Sequence, residues 1–125
     1  MPASDDELAA IEYERLGDTV RAVVRGEVDM SNADEIGVQL RAACNGAGTL
    51  VLDLSELAFL DSHGVATIFE LHREMAGRNR DLEVFADAGS IVARVLDLTG
   101  LTQVVPTTYA APDAASEAAH EAAHE

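Results

Sequence analysis

Hydrophobic and polar positions divide the chain into short alternating elements. Ile11-Glu12-Tyr13-Glu14-Arg15-Leu16 alternates weakly, and Gly17-Asp18 is a hairpin-type turn pair. From Thr19 to about Glu27, Val20, Ala22 and Val24 alternate with Arg21, Val23 and Arg25, so the first two strands form a hairpin. Gly26-Glu27-Val28-Asp29 closes the second strand. Ser31-Asn32-Ala33-Asp34-Glu35 then reads as a helix start, with Ser31 as its cap and early acids that suit the helix dipole. Ile36, Leu40 and Ala43 give that helix one apolar face, and Asn45-Gly46-Ala47-Gly48 ends it. Leu50, Val51 and Leu52 fit a strand covered on both faces, ended by Asp53, after which Leu57, Phe59 and Leu60 cross a brief loop. From Val65 the period becomes helical, through Ile68, Phe69, His72 and Met75, so a helix begins near Ser62. Gly77-Arg78-Asn79-Arg80 breaks the period. Leu82, Val84 and Phe85 make a further strand, and Ala88-Gly89-Ser90 leads into a helix carrying Ile91, Val92, Val95, Leu96 and Leu98. Val104-Val105 before Pro106 is the last strand, at or near an edge.

A hairpin followed by alternating strands and helices predicts an α/β fold: a mixed sheet with helices packed mainly on one face. Ser62 would sit at the carboxyl end of a central strand, the edge where open α/β sheets usually bind ligands. The length of 125 residues suits one domain, and 48% hydrophobic with 25% charged residues is a globular composition. The segments are a lead-in over 1–10, a domain over 11–109 and a tail over 110–125. No apolar run approaches a transmembrane span of roughly 20 residues. The acidic N-terminus is unlike a signal peptide, so the expected location is cytoplasmic.

Charge narrows the partners. Twenty-three acidic residues against eight arginines and no lysine give a net charge of −15. Such a field disfavours nucleic acid and membrane surfaces and favours a protein with a basic face. Cys44 is the only cysteine, which excludes an internal disulfide and a thiolate-built zinc site, and it is expected to be half-buried.

Candidate chemistry is sparse. His120-Glu121-Ala122-Ala123-His124 matches the H-E-x-x-H zinc motif literally, but that motif needs a packed helix, a third ligand and a closed pocket. The stretch reads instead as part of a frayed, acidic, partly helical tail. His72 lies on an apolar stripe and is expected at a core boundary. Ser62 and His63 are adjacent and diverge at a helix start, no G-x-S-x-G elbow surrounds the serine, and no glycine-rich phosphate loop occurs. The chain is therefore not expected to be an enzyme or to carry a cofactor or metal. At Ser62 two roles stay open: a helix cap, or a modified hydroxyl beside a Gly64 that leaves the helix start uncovered.

The stretch from Leu52 to Val65, with Asp61, Ser62 and Gly64 at its end, resembles the signature of STAS domains, named for sulfate transporters and anti-sigma factor antagonists. Gly26-Glu27-Val28-Asp29 and Val95-Leu96-Asp97-Leu98-Thr99-Gly100-Leu101 are similar to further segments of that family, so the resemblance covers roughly Ile11 to Tyr109. His63 stands where a small Ser or Thr is usual. The resemblance implies a STAS-like mixed sheet and a phosphorylation site at Ser62, with Asp29, Asp61, Ser62, His63 and Gly64 as the partner-binding set. It also implies the partners: an anti-sigma factor with serine kinase activity and a phosphatase acting on phospho-Ser62. The antagonist would be a monomer or weak dimer. The alternative is a non-phosphorylated STAS scaffold or ligand-binding module, which the imidazole of His63 favours.

Overall fold

The computed structural model describes residues 8–110, so residues 1–7 of the lead-in and the H-E-x-x-H stretch lie outside the described residues, while Ala9 and Ala10, expected in the lead-in, already belong to the first strand. Strand β1 (Ala9–Leu16) pairs antiparallel with β2 (Thr19–Val28) to form the expected hairpin. There follow α1 (Ala33–Ala43), β3 (Thr49–Asp53), β4 (Leu57–Leu60), α2 (Ser62–Ala76), β5 (Asp81–Asp87), α3 (Ile91–Leu98), a 3-10 turn (Leu101–Gln103) and β6 (Thr107–Ala110). The sheet order is β1-β2-β3-β5-β6, parallel beyond β2, and β4 pairs with β2 alone.

Side-chain alternation decides which face is covered. Val20, Ala22 and Val24 of β2, Leu50 and Leu52 of β3, and Leu82, Val84 and Ala86 of β5 are buried on one face. Ile36 and Leu40 of α1, Val65, Ile68, Leu71 and Met75 of α2, and Val92 and Leu96 of α3 complete the same core. Each such aliphatic side chain withdrawn from water contributes about 1.5–3 kcal/mol. The one-faced arrangement of helices is thus as the pattern predicts.

Several local expectations are corrected. β3 is not apolar on both faces: Val51 is half-buried, and beside it the Asp53 carboxylate, only 1% exposed, pairs with Arg21 and accepts from the Ser55 N–H at 2.9 Å and Oγ at 2.6 Å. Burial pushes the Asp53 pKa up, but the Ser55 and Arg21 hydrogen bonds outweigh it and leave the group below its ordinary value. Leu57 to Leu60 is a strand, not a loop, because Gly26 and Val28 align with Leu57 and Leu60 while the register shift skips Ala58. Ser31 does not cap α1. Asn32 holds the cap position without a side-chain bond to the helix, and Ser31 donates to Asp29 Oδ1 at 2.6 Å.

On α2, Leu71 is buried whereas Phe69 and His72 are half-buried, so the inward stripe is rotated slightly from the expected one. Ile91 and Leu98, expected in the apolar face of α3, are 63% and 79% exposed. Val104-Val105 is not the last strand. Both amides donate to the Leu101 carbonyl in a tight turn, Val105 fills the core, and the strand starts at Thr107 beyond Pro106. Cys44 is buried rather than half-buried.

Candidate functional site

Ser62 is delivered by β4. The ladder ends with Val28 opposite Leu60, and the Asp61 N–H donates to the Val28 carbonyl at 3.2 Å, so Asp29 and Asp61 leave neighbouring parallel strands side by side.

Asp61, not Ser62, caps α2. With an extended backbone, φ −105° and ψ −175°, it turns its Oδ1 onto the N–H of His63 at 2.9 Å and of Gly64 at 3.1 Å. Burial acts to raise its pKa. The Gly64 and His63 amides and the His63 side chain outweigh that, so the carboxyl stays below its ordinary value and ionised.

Ser62, relieved of the capping role, is the first helical residue and is exposed. The hydroxyls of Ser31, Ser55 and Ser90 all donate, to Asp29, Asp53 and the Asp87 carbonyl respectively. Among the described residues the Ser62 hydroxyl has no such partner and is the one exposed serine oxygen left free for chemistry.

His63 is 56% exposed at its side chain, and Nδ1 lies 3.5 Å from Asp61 Oδ2. The imidazole is therefore drawn back along the turn towards the capping aspartate. Gly64 corrects the expectation of an uncovered helix start. It is buried, and a Cβ there would stand 2.4 Å from Leu60 Cδ1 and 2.9 Å from Val28 Cγ1. Its open side faces the core, where it lets the helix approach the two strands.

Asp29 is half-buried and occupied. Its Oδ1 accepts from the Ser31 N–H at 2.8 Å and hydroxyl, and its own N–H donates to Asn32 Oδ1 at 2.9 Å. It shapes the turn into α1 and adds charge to the edge.

Two apolar side chains at this edge escape the periodicity analysis. Met30, directly after Asp29, is 70% exposed, and Phe59, two residues before Asp61, is 42% exposed. A single apolar residue in a turn or a four-residue strand carries no period, so burial could not be read from sequence. Neither a metal-binding group of three or more His, Cys, Asp or Glu nor a helix able to cross a membrane occurs among the described residues.

Comparison with known proteins places this geometry. The family model described as "Mlab, STAS domain" matches residues 11–106. Among solved structures, the chain is similar to an anti-sigma factor antagonist from Mycobacterium paratuberculosis, at 26% identity over 86% of this chain and 92% of that one, with a TM-score of 0.73. The fold is also that of the anti-sigma factor antagonist SpoIIAA in its unphosphorylated form, at 21% identity, 90% and 97% coverage and TM-score 0.66. The phosphorylated form of the Bacillus cell fate determinant SpoIIAA is similar too, at 22% identity, 88% and 99% coverage and TM-score 0.59.

Proposed function

This chain belongs to the STAS domain family, and we propose that it is an anti-sigma factor antagonist switched by phosphorylation at Ser62. Unmodified, it binds an anti-sigma factor that is also a serine kinase and so releases a sigma factor. Phosphorylation at Ser62 reverses the binding, and a phosphatase resets the switch. It acts as a regulator and not as an enzyme.

The observation that carries the proposal is the free Ser62 hydroxyl at the head of α2, exposed beside an aspartate that has already taken the cap. A phosphate adds about −1.5 to −2 charges at neutral pH. The His63 and Gly64 amides that could receive it are engaged by Asp61. The new charge must therefore stay in water or displace the cap, next to a carboxylate held ionised and a second acid at Asp29. Each unit of like charge at about 4 Å costs about 1 kcal/mol even in water, and more once a partner excludes solvent. The fold tolerates the group, while an interface centred on Met30, Phe59 and Ser62 does not. His63 is compatible with kinase access because its ring is drawn towards Asp61.

The test is incubation of the full chain with ATP and the cognate anti-sigma factor kinase, followed by intact mass and binding measurements. One phosphate on the wild type, none on Ser62→Ala, and at least tenfold weaker binding by Ser62→Asp are expected. Phosphate uptake by Ser62→Ala, or undiminished binding by Ser62→Asp, refutes the switch. A wild type that binds but takes no phosphate points to a non-phosphorylated STAS module.

A further inference from the structure

Cations are unevenly placed in this acidic chain. α2 is 15 residues long, roughly 22 Å at 1.5 Å per residue, and Ser62 stands at its head. At its foot lies a cavity of about 200 Å³ against the end of α1. Leu71, Met75 and Cys44 form apolar walls, and Arg41, Arg78 and Arg80 also line it, with Asn45 and Glu74.

These arginines are not equivalent. Arg41 is engaged across the helix pair, with Nε 2.7 Å from Glu74 and a second nitrogen 3.7 Å from Glu70. Arg78 and Arg80 have no carboxylate within ion-pair distance among the described residues. Their turn is fixed: the Arg78 and Arg80 N–H groups donate to the Met75 carbonyl at 2.9 and 2.8 Å, around a left-handed Asn79 with φ 58°. The negative end of α2 accounts for a cation at Arg78. It does not account for Arg80, which follows the left-handed residue and is half-buried against the cavity.

Burial holds the Cys44 thiol pKa above its ordinary value, against a smaller downward pull from its backbone hydrogen bond and from Arg80, Arg78 and Arg41. Arg41 is taken by Glu74, the single carboxylate lining the cavity, which leaves Arg78 and Arg80 there without a carboxylate partner. Arginine forks match the oxygens of phosphate, and Arg78 and Arg80 have no ion-pair partner among the described residues to occupy theirs.

We infer that this cavity is an anion site for a phosphate group carried on a small apolar moiety, separate from Ser62 and independent of the switch. Its volume of about 200 Å³ equals that of nearly seven waters at roughly 30 Å³ each, more than a bare phosphate needs, and Leu71 and Met75 offer apolar contact to the remainder.

The probe is phenyl phosphate added to the 15N-labelled full chain at constant ionic strength, with inorganic phosphate and sodium chloride as parallel titrants. Expected are saturable NMR shifts of the Arg78 and Arg80 Nε–H and Cys44 amide signals, tighter with phenyl phosphate than with inorganic phosphate. Signals of residues 61–64 should stay unmoved. The double variant Arg78→Gln/Arg80→Gln should lose at least tenfold in affinity with an unchanged melting temperature, and the single Arg80→Gln provides the same reading should the double variant misfold. Unsaturating shifts equal to those in chloride, or unchanged affinity in the folded variants, overturn the site. Equal affinity for the two phosphates overturns its apolar half.

Discussion

Asp61 holds the first turn of α2 through two backbone amides, so its charge state and the helix start vary together. Its pKa, like that of Asp53, is lower in the folded chain than the roughly 3.9 of an unfolded aspartate. A lowered folded pKa means that protons bind the unfolded chain more readily. The resulting stabilisation is complete above about pH 4 and is lost as pH falls through the folded values. Asp61→Ala should therefore lower unfolding free energy by about 1 kcal/mol at neutral pH, the usual value of such a cap, and flatten the acid dependence. Urea midpoints between pH 7 and 3 check both; an unchanged midpoint at pH 7 would remove Asp61 from the cap. The sequence offers Ser62 as the cap of this helix, whereas the structure gives that role to Asp61. Only the extended backbone at Asp61 settles which one turns inward, and that angle follows from the pairing of β4, a tertiary fact.

The seating of α2 on β2 and β4 depends on the absence of a side chain at Gly64. Gly64→Ala would drive a methyl into Leu60 and Val28, and such overpacking costs about 1–3 kcal/mol. Thermal unfolding of this variant should fall by several degrees, and the Ser62 to Gly64 amide signals should shift as the first turn tilts. An unaltered melting temperature would contradict the close approach. The hairpin, β5 and the three helices are legible in the sequence because each keeps a period of two or nearly four over enough residues. β4 is not, because Ala58 is skipped in the register and breaks the alternation of Leu57, Phe59 and Leu60. Val104-Val105 misleads for the opposite reason: two β-branched residues suggest a strand, while Val105 is buried by a turn that needs only its side chain. The inward stripe of α2 is readable to within one position, since Phe69 and His72 border the buried residues and Leu71 completes them.

Over the whole molecule the net charge of −15 sets a repulsive background. Exposed ion pairs such as Arg25 with Glu12 and Glu56 return little, because solvent and salt screen them. Screening should then relieve more repulsion than attraction. Raising sodium chloride from about 0.02 to 0.3 M should stabilise the chain by on the order of 1 kcal/mol, about 4–8 °C in melting temperature. Calorimetry reporting a fall instead would give the ion pairs the larger share. The sheet distributes its support just as unevenly. β2 pairs with β1 along most of its length, with β3 over Thr19 to Val23 and with β4 over Gly26 to Val28. The central strand has a neighbour on each side, but β4, which leads into Ser62, has only one. In the time domain this makes the β4 amides, like those of edge strand β6, open to solvent earlier than those of β3 and β5. On the proposed reading, a kinase that engages Ser62 would meet a part of the sheet held from one side only, while the core beneath stays closed.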